Sequence, residues 1–259
     1  METLDIEIAN HVATVTLNRP DVRNAFNETT IAEITRVFRD LDKDGSIRAI
    51  VLAANGPAFC AGADLNWMKK MADYTHEENL ADAGQLADML HTIYRCSKPV
   101  VAKVQGDCYA GGMGLVAACD VAVSVDTAHF CLSEVKLGLI PATISPYVIK
   151  AMGESAARRY FITAERFTAA EAHRTGFVHE LATAELLDAK VAEIVKALVS
   201  NSPNAVRQAK RLVQDVASRE LTPTLIAATV EGIAQIRASD EGREGVRSFL
   251  EKRKPDWLI

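Results

Sequence analysis

Short apolar runs alternate along this chain with stretches of helical periodicity, and that alternation most narrows the folds open to it. Leu4, Ile6 and Ile8 alternate with polar residues, as do Ala13, Val15 and Leu17, with Asn10-His11 between them as a hairpin turn. From Asn27, placed as an N-cap, the pattern becomes helical, with Ile31, Ile34, Phe38 and Leu41 on one stripe. Ile47 to Ala53, Pro99 to Val104 and Val121 to Val125 read as buried strands. Helical stretches lie between them, the first carrying Leu86, Met89, Leu90 and Ile93 and the second running from Gly111 to Ala118. Parallel neighbours need long crossover connections, so this order implies an α/β chain built on a largely parallel, buried sheet.

After Ser133 helical patterns dominate. They cover Ile144 to Met152, Ser155 to Phe161, Ala169 to Arg174 with Gly176 as the stop, and amphipathic segments from Glu185 onward. Ser202-Pro203 and Thr222-Pro223 are cap-then-proline breaks that open new helices. Beyond Lys196 the residues Val206, Leu212, Val213, Ile233, Ile236, Phe249 and Leu250 need a partner surface, on the main body or on a neighbouring subunit. Residues 1–195 are therefore expected to form the core and residues 196–259 a helical appendage.

Charge excludes one class of partner. The formal net charge is −5, and a general nucleic-acid binder needs a dense basic face. From Lys196 on there are 11 Lys and Arg against 8 Asp and Glu, a balance that suits a phosphorylated ligand or simply a solvated helix face. The five cysteines form no C-x-x-C pair, so neither a metal site nor a disulfide framework is expected. With no secretory pattern at the N-terminus and no 18-residue apolar run, the reading is a cytoplasmic protein without a membrane span.

Three stretches carry chemistry. Phe59-Cys60-Ala61-Gly62-Ala63-Asp64-Leu65 sets small residues before a helix, letting backbone approach a ligand with N–H groups free; it also reads as a tight turn capped by Asp64. Tyr109-Ala110-Gly111-Gly112-Met113-Gly114 joins a strand to a helix, where the helix dipole favours an anion, although a packing turn has the same composition. In Leu132-Ser133-Glu134-Val135 a carboxylate sits among apolar residues, which raises its pKa and suits it to acid–base work; a surface pair with Lys136 or Lys103 is the alternative.

In this order, and with Asn18-Arg19-Pro20…Asn24-Ala25 at one end and Phe249-Leu250-Glu251-Lys252-Arg253 at the other, the stretches resemble the crotonase superfamily, also called the enoyl-CoA hydratase/isomerase family. The resemblance covers essentially the whole chain. It implies a spiral of β-β-α units followed by a helical trimerisation region, assembled as a homotrimer or homohexamer. It implies an acyl-CoA substrate, with no separate cofactor, and an oxyanion hole at the N–H groups of Ala63 and Gly111, with Glu134 catalytic. Arg23, Ala25, Ala61, Asp64 and Leu65 would contact coenzyme A, Phe249 and Lys252 would complete the nucleotide site from the same or an adjacent subunit, and Tyr109 and Gly112 would line the substrate site.

One departure stands at Gly114. Family hydratases of the two-carboxylate type carry a second glutamate there; here Glu134 works alone. A single carboxylate suffices to deprotonate water and return the proton to Cα, and equally to shuttle a proton between carbons as in the family's isomerases. The run Ser133-Glu134 through Pro141-Ala142-Thr143-Ile144-Ser145-Pro146, with Ala157-Arg158-Arg159-Tyr160-Phe161, is similar to bacterial methylglutaconyl-CoA hydratases of leucine breakdown. Trp67, Met68, Tyr109 and Met113 would then limit substrate size, unless they belong to the core. An RNA-binding relative uses a lysine-rich helix, whereas Trp67 to Asn79 contains only Lys69 and Lys70, so no nucleic-acid partner is expected. Hydratase leads; an isomerase or a catalytically weak CoA-binding protein are the alternatives.

Overall fold

A computed structural model describes residues 1–258. The chain opens with a hairpin of β1 (Leu4–Ala9) and β2 (Val12–Leu17). Asn10 and His11 turn it with φ of 51° and 67°, as a two-residue turn matched to strand twist requires. Helix α1 (Glu28–Lys43) follows, with the Asn27 side chain accepting from the Thr30 amide at 3.0 Å. Its apolar stripe of Ile31, Ile34, Phe38 and Leu41 is buried.

Then the chain winds in repeating turns, each with two strands and a helical segment. The first turn is β3 (Ala49–Ala54), β4 (Ala58–Cys60), α2 (Leu65–Met71) and α3 (His76–Arg95). The second is β5 (Val100–Val104), β6 (Asp107–Tyr109) and α4 (Gly111–Ala118). The third is β7 (Val121–Val125), β8 (His129–Cys131), a 3-10 turn at Glu134–Leu137 and α5 (Ser145–Thr163). Strands β9 (Phe167–Thr168) and β10 (Glu180–Ala182) flank α6 (Ala169–Arg174). Successive turns stack in parallel. First strands build a six-stranded sheet in the order β1-β2-β3-β5-β7-β10, and second strands a four-stranded sheet in the order β4-β6-β8-β9.

The residue pattern alone does not locate the second strand of each turn, although the resemblance implies two strands per unit. Strands β4, β6 and β8 are three residues each, too short for a two-residue period to show, and β4 runs into the stretch read as a tight turn. The hairpin also departs from expectation: Ile6 and Ile8, anticipated on a buried face, are 39% and 55% exposed. Strand β1 lies at the sheet edge, and α1 reaches only its start, where Glu33 accepts from the Thr3 amide at 2.9 Å. Within α5, Gly153 takes φ 78° and ψ 158° and breaks the helix between the two stretches expected there.

Helix α7 (Leu187–Ser200) runs unbroken past residue 195, so the expected division of the chain cuts through it. The break lies at Asn201, after which Ser202 caps α8 (Pro203–Val216) and Thr222 caps α9 (Pro223–Ala238), and α10 (Asp240–Leu250) follows. Polar contacts fasten α8 to the body: Lys210 Nζ lies 2.6 Å from Asp120 and 3.0 Å from the Lys98 carbonyl, and Gln214 donates to the Tyr94 carbonyl at 2.6 Å. Neither α8 nor α9 has a buried residue; Leu212, Val213, Ile233, Phe249 and Leu250 stay exposed in the single chain. Among the described residues no helix is long and apolar enough to cross a membrane.

Candidate active site

The loop after β2 is pinned to the chain on both sides of β4. Asn24 is buried and donates to the carbonyls of Asn55 and Ala58 at 2.7 and 2.9 Å, while its side-chain oxygen accepts from the Arg19 amide. Arg19 reaches the Ala25 carbonyl at 2.6 Å and the Asp64 carboxylate at 2.8 Å. Asp64 also accepts from the amides of Asn66 and Trp67, capping α2. Burial pushes its carboxyl up, but Arg19 and the two amides outweigh that and hold it below the ordinary 3.8.

Two backbone turns meet beside this loop. Gly62, at φ 94°, is so placed that a Cβ on it would lie 3.0 Å from Ala110 Cβ and 3.8 Å from Gly111 N. The stretch around Ala63 and the N-terminus of α4 are thus side by side, brought together by the parallel pairing of β4 with β6. Among the described residues, neither the Ala63 N–H nor the Gly111 N–H meets an acceptor. Both are donors left open, the second at the positive end of a helix.

Glu134 belongs to the next turn of the spiral. Strand β8 pairs with β6, and the Ala110 amide donates to the Cys131 carbonyl at 2.8 Å, which puts the end of β8, just before the 3-10 turn, beside the residue that precedes α4. The Glu134 side chain is half-buried, and among the described residues its buried Oε2 has no hydrogen-bond partner. Burial raises its pKa above the ordinary 4.5. No ion pair forms with Lys136 or Lys103; Lys103 pairs with Asp188 at 2.9 Å instead.

Gly114 lies one helical turn beyond Gly111 and is buried. A Cβ there would overlap Ile144 Cγ2 and lie 3.5 Å from Leu90 Cδ2. The space a second carboxylate would start from is filled by an aliphatic wall.

The sequence profile of the enoyl-CoA hydratase/isomerase family matches residues 7–258. The chain belongs to this family. It is 34% identical over 252 residues to a mevalonyl-coenzyme A hydratase of Aspergillus fumigatus, covering 95% of this chain and 91% of that one. An enoyl-CoA hydratase from Shewanella pealeana superposes with a TM-score of 0.96 at 43% identity, covering 98% of this chain and 96% of that one. One from Mycobacterium smegmatis gives 0.93 at 32% identity over 99% of both chains. The architecture is the crotonase-like spiral expected from the sequence.

Within this enoyl-CoA hydratase/isomerase chain, the structure brings only some of the residues singled out by sequence together. Arg23, Ala25, Ala61, Ala63, Asp64 and Leu65 form one patch, because the Ala61 amide donates to the Arg23 carbonyl at 3.0 Å and the Asp64 amide to the Phe26 carbonyl at 3.0 Å. Leu65 is exposed there, whereas the Asp64 side chain turns inward and is occupied by its cap and by Arg19. Gly111 adjoins that patch. Tyr109, on β6, is half-buried, with its hydroxyl donating to Asp107 at 2.8 Å.

Gly112 packs against β4. It is buried, and a Cβ on it would lie 2.8 Å from Cys60 Cβ and 2.9 Å from the Cys60 carbonyl, so its bare α-carbon lets α4 pack on β4. Trp67 and Met113 are likewise core residues. Phe249 and Lys252 lie at the far end of α10, which packs on α9 and α8, and Phe249 is 82% exposed. The single chain does not bring them to the patch.

Sequence reasoning missed Arg19, Phe26, Ala110 and Ile144 as parts of the site. The signal for Arg19 was present, since a cation forty-five residues from a buried cap carboxylate is a natural partner; the others act through backbone bonding and shape. Replacing Arg19 with Ala leaves Asp64 buried without its cation and frees the Ala25 carbonyl. The expected loss is about 2–3 kcal/mol at pH 7, below that of a fully buried pair because Arg19 is partly solvated. Since the folded pKa of Asp64 is lowered, its stabilisation is complete above the ordinary 3.8 and fades as pH falls below it. Urea titrations at pH 7 and pH 3 should therefore show the two proteins converging in acid; an equal gap at both would assign the loss to something other than this pair.

Proposed function

We propose that the chain hydrates an α,β-unsaturated acyl-CoA through an enolate held at Ala63 and Gly111, with Glu134 moving the proton. The observation that carries this reading is the pair of open N–H donors on adjoining turns, with a buried, unpartnered carboxylate oxygen on the next turn of the spiral. Attack of water at Cβ sends the double-bond electrons toward the thioester carbonyl, so negative charge grows on its oxygen. Two preorganised donors at that oxygen supply the largest share of catalysis, since losing one such donor typically costs about 2.7–4 kcal/mol.

Glu134 accepts a proton from water as the Cβ–O bond forms, then returns it to Cα as the enolate collapses. The balance is one water added. Burial suits Glu134 to both halves, because a raised pKa makes it a stronger base as carboxylate while the acid form remains accessible. The patch of Arg23, Ala25, Ala61, Asp64 and Leu65 is the coenzyme A contact in this reading. Phe249 and Lys252 would reach it from an adjacent subunit of a homotrimer or homohexamer, an assembly that would also cover the exposed apolar residues of α8 to α10.

For the acyl group we propose a branched chain, with methylglutaconyl-CoA the leading candidate. The run from Ser133 to Pro146 supports it. So does the relative named for mevalonyl-coenzyme A, whose acyl group carries the same methyl branch at C3. A second reading is favoured by the aliphatic wall at Gly114 and Ile144: with no second group to hold water, Glu134 alone could shuttle a proton between carbons as an isomerase.

A panel of enoyl-CoAs including methylglutaconyl-CoA separates these readings when conjugated-thioester absorbance is followed together with product mass. Gain of one water, fastest with the branched thioester, is the expected result. Unchanged mass with a moved double bond would replace the hydratase by the isomerase, and no turnover on any member would leave a CoA-binding protein.

A further inference from the structure

The two proposed donors stand on different turns of the spiral, Ala63 after β4 and Gly111 after β6, and one buried residue touches both. The Phe26 N–H donates to the Gly62 carbonyl at 2.9 Å, and its own carbonyl accepts from the Asp64 amide at 3.0 Å, an isolated parallel bridge opposite Ala63. In a parallel bridge the residue flanked by the two bonds has its own N–H and C=O turned away from the partner strand. Bridging to Phe26 is thus what leaves the Ala63 N–H pointing out and open.

The Phe26 side chain meets the other donor. A Cβ on Gly111 would overlap Phe26 Cζ and lie 3.0 Å from Cε1 and 3.4 Å from Cε2, so the ring tip is flush against the Gly111 backbone. Behind it the ring is held by Trp67, with centroids 6.0 Å apart at 50°. The Trp67 indole is fixed in turn by its N–H donating to Asp82 at 2.9 Å.

The peptide between Ala110 and Gly111 needs such a restraint. Ala110 has φ 46° and ψ −122°, a conformation suited to glycine and strained for a residue with a Cβ. That ψ aims the Gly111 N–H, and a flip of the same peptide plane would relieve the strain while turning the donor away. A ring pressed on Gly111 opposes the movement.

We propose that Phe26 is a positioning residue for this reaction, its backbone presenting the Ala63 N–H and its ring holding the Gly111 N–H, so that both converge on one thioester oxygen. This rests on the oxyanion-hole reading above. The test is Phe26→Ala and Phe26→Leu, measured by kcat, KM, melting temperature and the infrared carbonyl stretch of a bound saturated acyl-CoA carrying a 13C-labelled thioester carbon. In the unaltered protein the stretch should fall on binding. Phe26→Ala should lower kcat by about 10- to 100-fold, as expected for a displaced donor, leave KM nearly unchanged and lose much of the carbonyl shift, with Phe26→Leu between the two.

A folded Phe26→Ala protein whose carbonyl shift matches the unaltered one overturns the proposal, whatever its melting temperature. If the alanine variant does not fold, Phe26→Leu decides: reduced kcat with a reduced shift supports the role, and unaltered values of both overturn it. Absence of any shift in the unaltered protein would sink the hole itself, and so separates failure of that reading from failure of the Phe26 role.

Discussion

Glutamine at position 134 is expected to lower kcat by about 10²- to 10⁴-fold, the range for loss of a positioned acid–base group, while the affinity for coenzyme A stays as it was. The same substitution should make the protein more stable at neutral pH. Glu134 buries an oxygen that has no partner among the described residues, and desolvation raises its pKa above 4.5. A carboxyl whose folded pKa is raised favours folding fully only below its unfolded pKa, and that advantage is lost as pH rises through the folded value. A glutamine side chain does not ionise, so the variant's gain in melting temperature should appear at pH 7 and vanish near pH 4. The acid limb of kcat/KM in the unaltered protein should likewise lie above the ordinary carboxylate range, because the free enzyme must carry the carboxylate to accept a proton from water. Persisting turnover in the glutamine variant would remove Glu134 from the mechanism. Loss of turnover with no gain in stability would instead point to a partner for Oε2 that the single chain does not reveal.

Glutamate at position 114 should fail alone and be tolerated with a second change. Its Cβ would overlap Ile144 Cγ2 and stand 2.9 Å from Ile144 Cβ. Overpacking of this kind typically costs about 1–3 kcal/mol, and burial of an extra carboxylate adds to it. Gly114→Glu is therefore expected to be strongly destabilised and poorly active. Adding Ile144→Ala opens the space and should recover much of the stability, giving a positive coupling in a double-mutant cycle, as neighbours that share one volume show. Thermal denaturation of the four proteins measures the coupling; additive effects would mean that Ile144 moves aside without cost. Hydration rates of the double variant then bear on the reaction. A large gain would mean that the natural site, with its aliphatic wall, is not built to hold water.

Much of this chain is legible residue by residue. The short-range rules found α4 at Gly111–Ala118, β7 at Val121–Val125 and α6 at Ala169–Arg174 with their observed bounds. They also found the caps Asn27, Ser202 and Thr222, each of which accepts a backbone N–H three residues on. Helix periods and caps depend on neighbours three or four positions away, so a single sequence carries them whole. Edge exposure does not work that way. Ile6 and Ile8 have the alternation of a half-buried strand, yet no covering element reaches the outer part of β1.

The candidate site divides along the same line. Ala63, Gly111 and Glu134 stand in motifs whose order is visible in the sequence, and the residue types alone say that an open N–H and an apolar-flanked carboxylate are on offer. The sequence by itself therefore determined the family, the winding of strand and helix, and the chemical groups available. Only the tertiary structure decided which groups face one another. It turned Gly112 and the Asp64 side chain inward, set Phe26 between the two donors, and filled the space beside Gly114 with Ile144. The physical reason is that these are contacts of volume between distant turns of the spiral. A residue's type gives its size and charge, but the space it must fill is set by whatever the fold stacks against it.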